Sequence, residues 1–217
     1  MTRTVIDRKS ELEIIDEDYG HSLTIDSNYR NLGIEQGIVY IDFPLTKSGV
    51  IVTGRDHLQY PREVRKLRPN PKKQYLEIGA GLGGFTPNLV KRLEGRLQKK
   101  PIVIDIANYD VICGLFETGI EEAKNRGYHE NILKRLEVLR GRANFYANSE
   151  QIKLITLSLG QALNTFPELV GCADVVVDNL AAEWYAAEIE MPGAGGREEK
   201  EEKVKSMKSL LLSKRGR

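Results

Sequence analysis

Four closely spaced glycines have the spacing of a loop that holds a nucleotide. Residues 75–86 read YLEIGAGLGGFT, in which Gly79, Gly81 and Gly84 fit the dinucleotide pattern G-x-G-x-x-G. Glycine is needed where the backbone passes close to a ligand and makes turns that a side chain would block. Where such a loop leads into a helix, the free N–H groups of the helix N-terminus favour anionic or polar groups of the ligand.

An acidic residue follows this loop at the distance expected of a ribose ligand. Asp105 lies in the apolar segment PIVIDIA (101–107), about 20 residues after the last of the glycines. A carboxylate in that position can accept hydrogen bonds from both hydroxyls of an adenosine ribose. The loop and the acid together predict a cofactor that contains adenosine, although the glycines alone do not decide which one.

These residues meet only if particular strands and helices bring them together. Short apolar segments at 74–78, 101–107, 152–157 and 173–178 alternate with helical patterns. This alternation predicts an α/β fold, a Rossmann-like parallel sheet with helices on both faces. Thr86 and Asn108 are expected to cap two of its helices. The helical stretch between the second and third strands is longer than a simple crossover needs.

The other segments predict additions to this domain. Residues 1–60 contain short β-branched runs and turn residues, which predict a small antiparallel β extension with a hairpin at Thr46–Gly49. Residues 61–73 form a basic linker or short helix, and residues 74–190 form the Rossmann-like domain. Residues 191–217 predict a charged helical tail whose charges lie on a solvated face.

Charge and apolar patterning bound the cellular setting. With 32 basic and 31 acidic residues, the chain lacks the overall basic field that drives non-specific nucleic-acid binding, although local patches remain open. No apolar run is long enough to span a bilayer, and the N-terminus lacks the apolar core of a signal peptide. A cytoplasmic protein that does not engage a membrane is therefore expected.

The cysteines and histidines predict no metal site. Cys113 and Cys172 have neither CxxC nor zinc-ligand spacing, so we expect reduced thiols packed in the interior. His21, His57 and His129 show no metal-ligand spacing either.

A second pattern in the glycine loop favours one adenosine cofactor. Glu77 stands two residues before the first glycine, so residues 77–83 also fit E-x-G-x-G-x-G. Residues 74–180, about half of the chain, resemble the first half of a class I S-adenosylmethionine (SAM)-dependent methyltransferase domain. LEIGAGLGGFT resembles its motif I, VIDIA its acidic motif II and ADVVVDNLA its motif IV. Motif I is the most specific of the three.

The resemblance implies that S-adenosyl-L-methionine is the cofactor. The residues that would surround its methionine part are Glu77, Gly79, Ala80, Gly81 and Gly83. Asp105 would bind the ribose hydroxyls and Ile106 would pack on the adenine. Ser158 or Gln161 would contact the adenine edge in place of the acid that is usual in the family.

At the end of the fourth strand, the resemblance implies a catalytic position. Asp178 would orient or deprotonate the methyl acceptor, with helix capping as the structural alternative, and Asn179 would face the methionine group. The segment Asn179-Leu180-Ala181-Ala182 departs from the Asn-Pro-Pro-aromatic motif of nucleic-acid amino methyltransferases. A small-molecule acceptor is therefore expected, and nucleic acid is not favoured. Trp184 and Tyr185 would wall the substrate pocket or belong to the core.

Other interpretations stay open. A module or subunit that binds SAM or a nucleotide without catalysis would carry the same loop. An NAD-dependent oxidoreductase would also fit the glycines, but it would need further strands to hold its substrate. The sheet of this family usually has seven strands and only four are predicted here, so other strands must cover its edges. We expect the N-terminal strands to do so, with a homodimer or a longer polypeptide as alternatives.

Overall fold

A computed structural model describes residues 2–8, 11–26, 38–42, 62–178 and 197–213. The chain divides into two compact units, which we call the N-terminal unit (Met1–Gly54 with Ala107–Asn148) and the parallel-sheet unit (Arg55–Ile106 with Ser149–Arg217). The predicted hairpin at Thr46–Gly49 lies outside the described residues.

The N-terminal unit contains an antiparallel sheet in the strand order β1-β2-β3-β4. Its strands are β1 (Arg3–Arg8), β2 (Glu11–Asp16), β3 (His21–Asp26) and β4 (Ile38–Asp42). Alternate apolar side chains of β2 and β3 point to one face and are fully buried, namely Leu12, Ile14, Leu23 and Ile25. The antiparallel β structure predicted for the first part of the chain is therefore confirmed for these strands.

Two long helices also belong to the N-terminal unit. They are α3 (Tyr109–Asn125), which packs against β2 and β3, and α4 (Glu130–Asn148), which packs against α3. Asn108 caps α3 as predicted, because its side chain accepts a hydrogen bond from the backbone N–H of Val111 at 3.4 Å. Gly119 brings α3 close to the sheet: a Cβ atom there would lie 2.8 Å from Leu23 Cδ2.

The parallel-sheet unit has the predicted α/β fold. Its strands are β5 (Tyr75–Ile78), β6 (Ile102–Asp105), β7 (Lys153–Thr156) and β8 (Val175–Asp178). All pair in parallel, in the order β7-β6-β5-β8. The Rossmann-like sheet expected from the alternating pattern is confirmed.

Helices cover both faces of this sheet, as predicted. A short helix, α1 (Arg62–Arg65), precedes β5. On one face Tyr75 packs against α2 (Phe85–Arg92). On the other face Leu76 and Ile78 belong to a cluster with α5 (Leu159–Thr165) and α6 (Arg197–Leu211).

Helix α6 combines the solvated face predicted for the charged segment with a buried apolar face. Glu199, Glu202, Lys203 and Lys205 are exposed or nearly so, whereas Val204 and Leu211 are fully buried in the core cluster. After the helix, the chain runs parallel to the segment before β8: the Ala173 N–H donates to the Leu211 carbonyl at 2.9 Å, and the Ser213 N–H donates to the Ala173 carbonyl at 2.7 Å.

Two expectations about these elements are wrong. The described N-terminal strands do not complete the parallel sheet, because they pair only with one another. Thr86 is not an N-cap either: α2 begins at Phe85, and Gly84 occupies the cap position without a side-chain hydrogen bond. The buried carboxylate of Glu77 bonds to Thr86 and holds the first turn of α2, so Thr86 does not act as the cap.

Neither cysteine of the chain forms a disulfide, and each is partly buried rather than fully interior. Burial, reinforced by Asp110 and Glu117, raises the pKa of the Cys113 thiol to about 11. Burial also raises the pKa of Cys172. Both thiols are therefore protonated and poorly nucleophilic at neutral pH.

In the described segments, no helix has both the length and the apolar character needed to cross a membrane.

Candidate functional site at the carboxyl edge of the parallel sheet

The strand order of the parallel sheet reverses at one place, where folds of this kind form a ligand-binding crevice. The chain adds β6 and β7 on one side of β5 and then places β8 on its other side, so the order reverses between β5 and β8. In open α/β sheets, ligands bind beyond the carboxyl ends of the strands at such a reversal. Ile78 and Asp178 are paired at the ends of these two strands, which places the glycine loop and Asp178 beside each other.

The glycine loop begins directly after β5. Gly79 and Gly81 have φ values of 60° and 50°. Residues that carry a Cβ atom adopt this left-handed conformation only at a cost in free energy. The Gly79 N–H donates to the Ile104 carbonyl at 2.8 Å, and the Gly83 N–H donates to the Ala80 carbonyl at 2.8 Å. Ala80 is fully buried. These contacts fix the loop as a tight turn over the ends of β5 and β6.

Asp105 is part of this turn. Its carboxylate Oδ2 accepts a hydrogen bond from the Gly81 N–H at 2.7 Å, and the residue is only 7% exposed. The sequence predicted that Asp105 would lie near the loop, and the structure brings the two together. A carboxylate in this place both anchors the loop and lies at the edge of the crevice.

Glu77 is buried and hydrogen-bonded within the protein, unlike a side chain that is open to a ligand. It is 1% exposed, and its Oε2 accepts hydrogen bonds from the Thr86 hydroxyl at 2.6 Å and from the Thr86 N–H at 3.3 Å. Glu77 thus supplies a negative charge to the first turn of α2, where the helix dipole favours it. This remote cap ties β5 to the helix that follows the glycine loop.

The predicted adenine contacts at Ser158 and Gln161 have a structural role. Ser158 caps α5: its hydroxyl accepts from the Gln161 N–H at 3.3 Å, while the Gln161 side chain accepts from the Ser158 N–H at 3.1 Å. This reciprocal pair is a capping box. The same S-x-x-Q spacing could have been read from the sequence. Ile106 follows β6 at the same edge of the sheet and is partly buried.

Asp178 has a partner that the sequence analysis did not find. The Lys208 ammonium group, on α6, lies 2.5 Å from Asp178 Oδ2, and the two side chains are 19% and 16% exposed. No sequence spacing links these residues, because the pair forms only when α6 packs back onto the sheet. Asn179, Trp184 and Tyr185 lie outside the described residues.

Comparison with known proteins adds no assignment: no family model, no curated protein and no solved structure matches this chain.

These residues could hold an adenosine-containing cofactor. The positive φ values favour glycine at positions 79 and 81, and because glycine has no side chain the backbone there stays open to a ligand. Buried Asp105 stands at the end of the neighbouring strand, where a ribose would lie. Loop, acid and strand reversal come together within the parallel-sheet unit.

Proposed function

We propose that the protein is a SAM-dependent methyltransferase that acts in the cytoplasm on a small-molecule acceptor. One observation carries the proposal: the left-handed turn at Gly79 and Gly81 is hydrogen-bonded to the acid that ends the next strand, at the reversal of strand order. This arrangement supports binding of an adenosine cofactor. The E-x-G-x-G-x-G spacing that begins at Glu77, whose own side chain holds the first turn of α2, supports SAM over a dinucleotide.

The protein's own residues have a limited chemical task in such a reaction. SAM supplies an already activated methyl group, so positioning the acceptor in line with it provides much of the rate. Asp178 would orient the acceptor or take its proton. Lys208 beside it would hold that carboxylate in one orientation and supply a compensating positive charge.

The Asp178–Lys208 pair also favours a second candidate, a module that binds SAM without catalysis. A carboxylate already engaged by a lysine is less accessible to an acceptor. Methyl transfer from labelled SAM to acceptors in a cell extract separates the two. Methyl transfer that is lost in the Asp178→Asn variant supports the methyltransferase proposal. SAM binding without any methyl transfer supports a non-catalytic module.

The cofactor is tested by isothermal titration with SAM, S-adenosylhomocysteine and NAD. We expect saturable binding of the first two. If neither binds at millimolar concentration, the methyltransferase proposal fails, and tight binding of NAD would replace it with an oxidoreductase.

The Asp105→Ala substitution tests the ribose position. We expect it to weaken SAM binding by about 1–3 kcal/mol, since charged hydrogen bonds to the ligand and to the loop are lost. Asp110→Ala, which removes an exposed acid from the first turn of α3, is the matched control and should leave the affinity unchanged. Equal affinity in the wild type and Asp105→Ala would refute the assignment.

A further inference from the structure

The edge of the parallel sheet opposite the crevice carries a row of lysines. Lys73 lies two residues before β5, Lys99 and Lys100 lie just before β6, and Lys153 is the first residue of β7. Because the strands are parallel and adjacent, their amino ends share one edge. With Lys72, these five residues form what we call the lysine edge.

Backbone and side-chain hydrogen bonds hold this edge together. The Gln98 N–H donates to the Pro71 carbonyl at 3.0 Å, which joins the loop before β6 to the loop before β5. The Gln74 side chain donates to the Lys100 carbonyl at 2.9 Å. The Lys153 N–H donates to the Pro101 carbonyl at 2.8 Å. The lysines are thus brought together by the fold, although they come from three separate parts of the sequence.

The positive charge of the lysine edge is largely uncompensated. All five lysines are exposed. Lys153 lies 3.5 Å from Glu168 in an exposed ion pair, and Lys73 and Lys99 act on Asp174 only at longer range, where they help to lower its pKa. Among the described residues, Lys72, Lys73, Lys99 and Lys100 have no carboxylate within ion-pair distance. A chain with a formal net charge of +1 therefore concentrates positive charge on one edge.

The shape of the edge fits a linear polyanion. Neighbouring strands lie about 4.8 Å apart, so the row across β7, β6 and β5 extends over about 10 Å. In duplex DNA each strand carries one phosphate for about every 3.4 Å of helix axis, and the phosphates of a single strand are spaced no more closely, so at most about three can lie along the row. The apolar residues of the two loops, Leu67 and Leu97, pack inward against the cluster around Tyr75 instead of facing outward, so these loops offer nothing to insert into a lipid layer.

We propose that the lysine edge binds the phosphate backbone of single-stranded nucleic acid, independently of base sequence and separately from the cofactor crevice. The binding is electrostatic and releases counterions, so it weakens steeply with salt. This site does not depend on the proposed methyl transfer, since the crevice lies at the opposite ends of the same strands. The net charge of the chain predicted no overall basic field for nucleic-acid binding, but a net charge does not show how charges are distributed over the surface.

The proposal is tested with a fluorescent 20-nucleotide single-stranded RNA, by anisotropy between 50 and 200 mM salt. The variant Lys72→Gln/Lys73→Gln/Lys99→Gln/Lys100→Gln removes four charges from the edge. The matched control Lys124→Gln/Lys134→Gln/Lys203→Gln/Lys205→Gln removes four exposed lysines from helices α3, α4 and α6. Circular dichroism melting establishes that both variants are folded.

For three phosphate contacts, the logarithm of affinity should fall with the logarithm of salt with a slope of about −2.1, or about twentyfold over this range. We expect the edge variant to bind at least tenfold more weakly at 50 mM salt and to lose most of the slope. The control should stay within twofold of the wild type. Absence of RNA binding at 50 mM salt, an equal loss in both variants, or binding to phosphatidylserine vesicles without binding to RNA would overturn the proposal.

Discussion

Asp174 shows how a single surface carboxylate secures the amino edge of the parallel sheet. Its Oδ2 accepts from the Gln74 N–H at 2.9 Å, and its Oδ1 accepts from the Ser213 hydroxyl at 3.3 Å. The hydrogen bond from Gln74 is the main cause that lowers the pKa of Asp174, with Ser213, Lys99 and Lys73 adding to it. The residue thus links β5 to the segment that follows α6.

This lowered pKa predicts a pH-dependent stability. A carboxylate whose pKa is lower in the folded state than in the unfolded state stabilises the protein when the pH is above the unfolded-state pKa, which is 3.8 here. This stabilisation is lost as the pH falls through the folded-state pKa. Asp174→Ala should therefore unfold at lower urea concentration than the wild type at pH 7, and the difference should shrink below pH 4. Glu94→Ala, at an exposed residue of the same unit, is the control. A deficit that stays constant from pH 6 to pH 2 would contradict this role.

At the residue scale, the sequence predicted contacts governed by local spacing. The glycine loop and Asp105 meet as expected because the order strand, turn, helix, strand fixes their positions. Lys208 could not be found in this way, since its approach to Asp178 depends on the packing of a helix 30 residues later in the chain. Ser158 and Gln161 were assigned to a ligand although their spacing also encodes a capping box.

At the scale of elements, α3 depends on the small size of Gly119. A Cβ atom there would lie 2.8 Å from Leu23 Cδ2 and 3.1 Å from Ile14 Cδ1, both in the buried layer between helix and sheet. Gly141 in α4 has no atom within 4 Å of the corresponding position. Replacing either glycine by alanine changes helix propensity equally. Only the replacement at Gly119 adds an atom to a packed core, so the two positions form a matched pair.

We expect Gly119→Ala to be less stable than Gly141→Ala by about 1–3 kcal/mol, the usual cost of overpacking a core. Gly141→Ala alone should stabilise the protein by up to about 1 kcal/mol, since alanine favours the helix. Chemical denaturation of both variants measures the difference. Equal stabilities would show that α3 can move away from the sheet without cost.

Helix α6 offers a second matched pair. Leu211 is fully buried in the core cluster, whereas its neighbour Leu210 is 42% exposed. Leu211→Ala should lower the free energy of unfolding by about 2–5 kcal/mol, and Leu210→Ala should change it by less than about 0.5 kcal/mol. Similar small effects at both positions would mean that α6 is not integral to the core.

The sequence predicted most elements by type because their apolar periodicity is strong. Five apolar residues that recur at helical spacing in α3 are all buried, namely Val111, Ile112, Leu115, Phe116 and Ile120. The start of α2 was misplaced because its first turn is held by Glu77, a strand residue, and not by an adjacent cap. Local capping rules cannot anticipate a partner from another element.

At the scale of the whole molecule, ligand binding should be visible as stability of the parallel-sheet unit. If SAM binds only the folded state, SAM at 100 times its dissociation constant adds about 2.7 kcal/mol. Hydrogen exchange should then slow for the amides of β5, β6 and the glycine loop. No change in their exchange at saturating SAM would contradict binding at this edge.

Whole-molecule organisation was the least predictable level. The alternation of strands and helices predicted a parallel sheet, whereas only the structure established the order of its strands. Whether the first strands join that sheet was not encoded in any local pattern, and the expectation that they do was wrong for the described strands. Edge pairing depends on tertiary competition among strands, which periodicity does not reveal.

The position of β8 beside β5 has a consequence for biosynthesis. Gln74 and Asp174, which hydrogen-bond to each other, are 100 residues apart, whereas β1, β2 and β3 pair with strands that follow almost at once. Local hairpins close quickly. Pairing of parallel strands that are distant in sequence has a larger entropic cost of loop closure and is therefore slower. On the ribosome, the antiparallel strands can therefore pair soon after they emerge. The first strand of the parallel sheet must instead wait until residue 178 has been translated before its outer neighbour can dock.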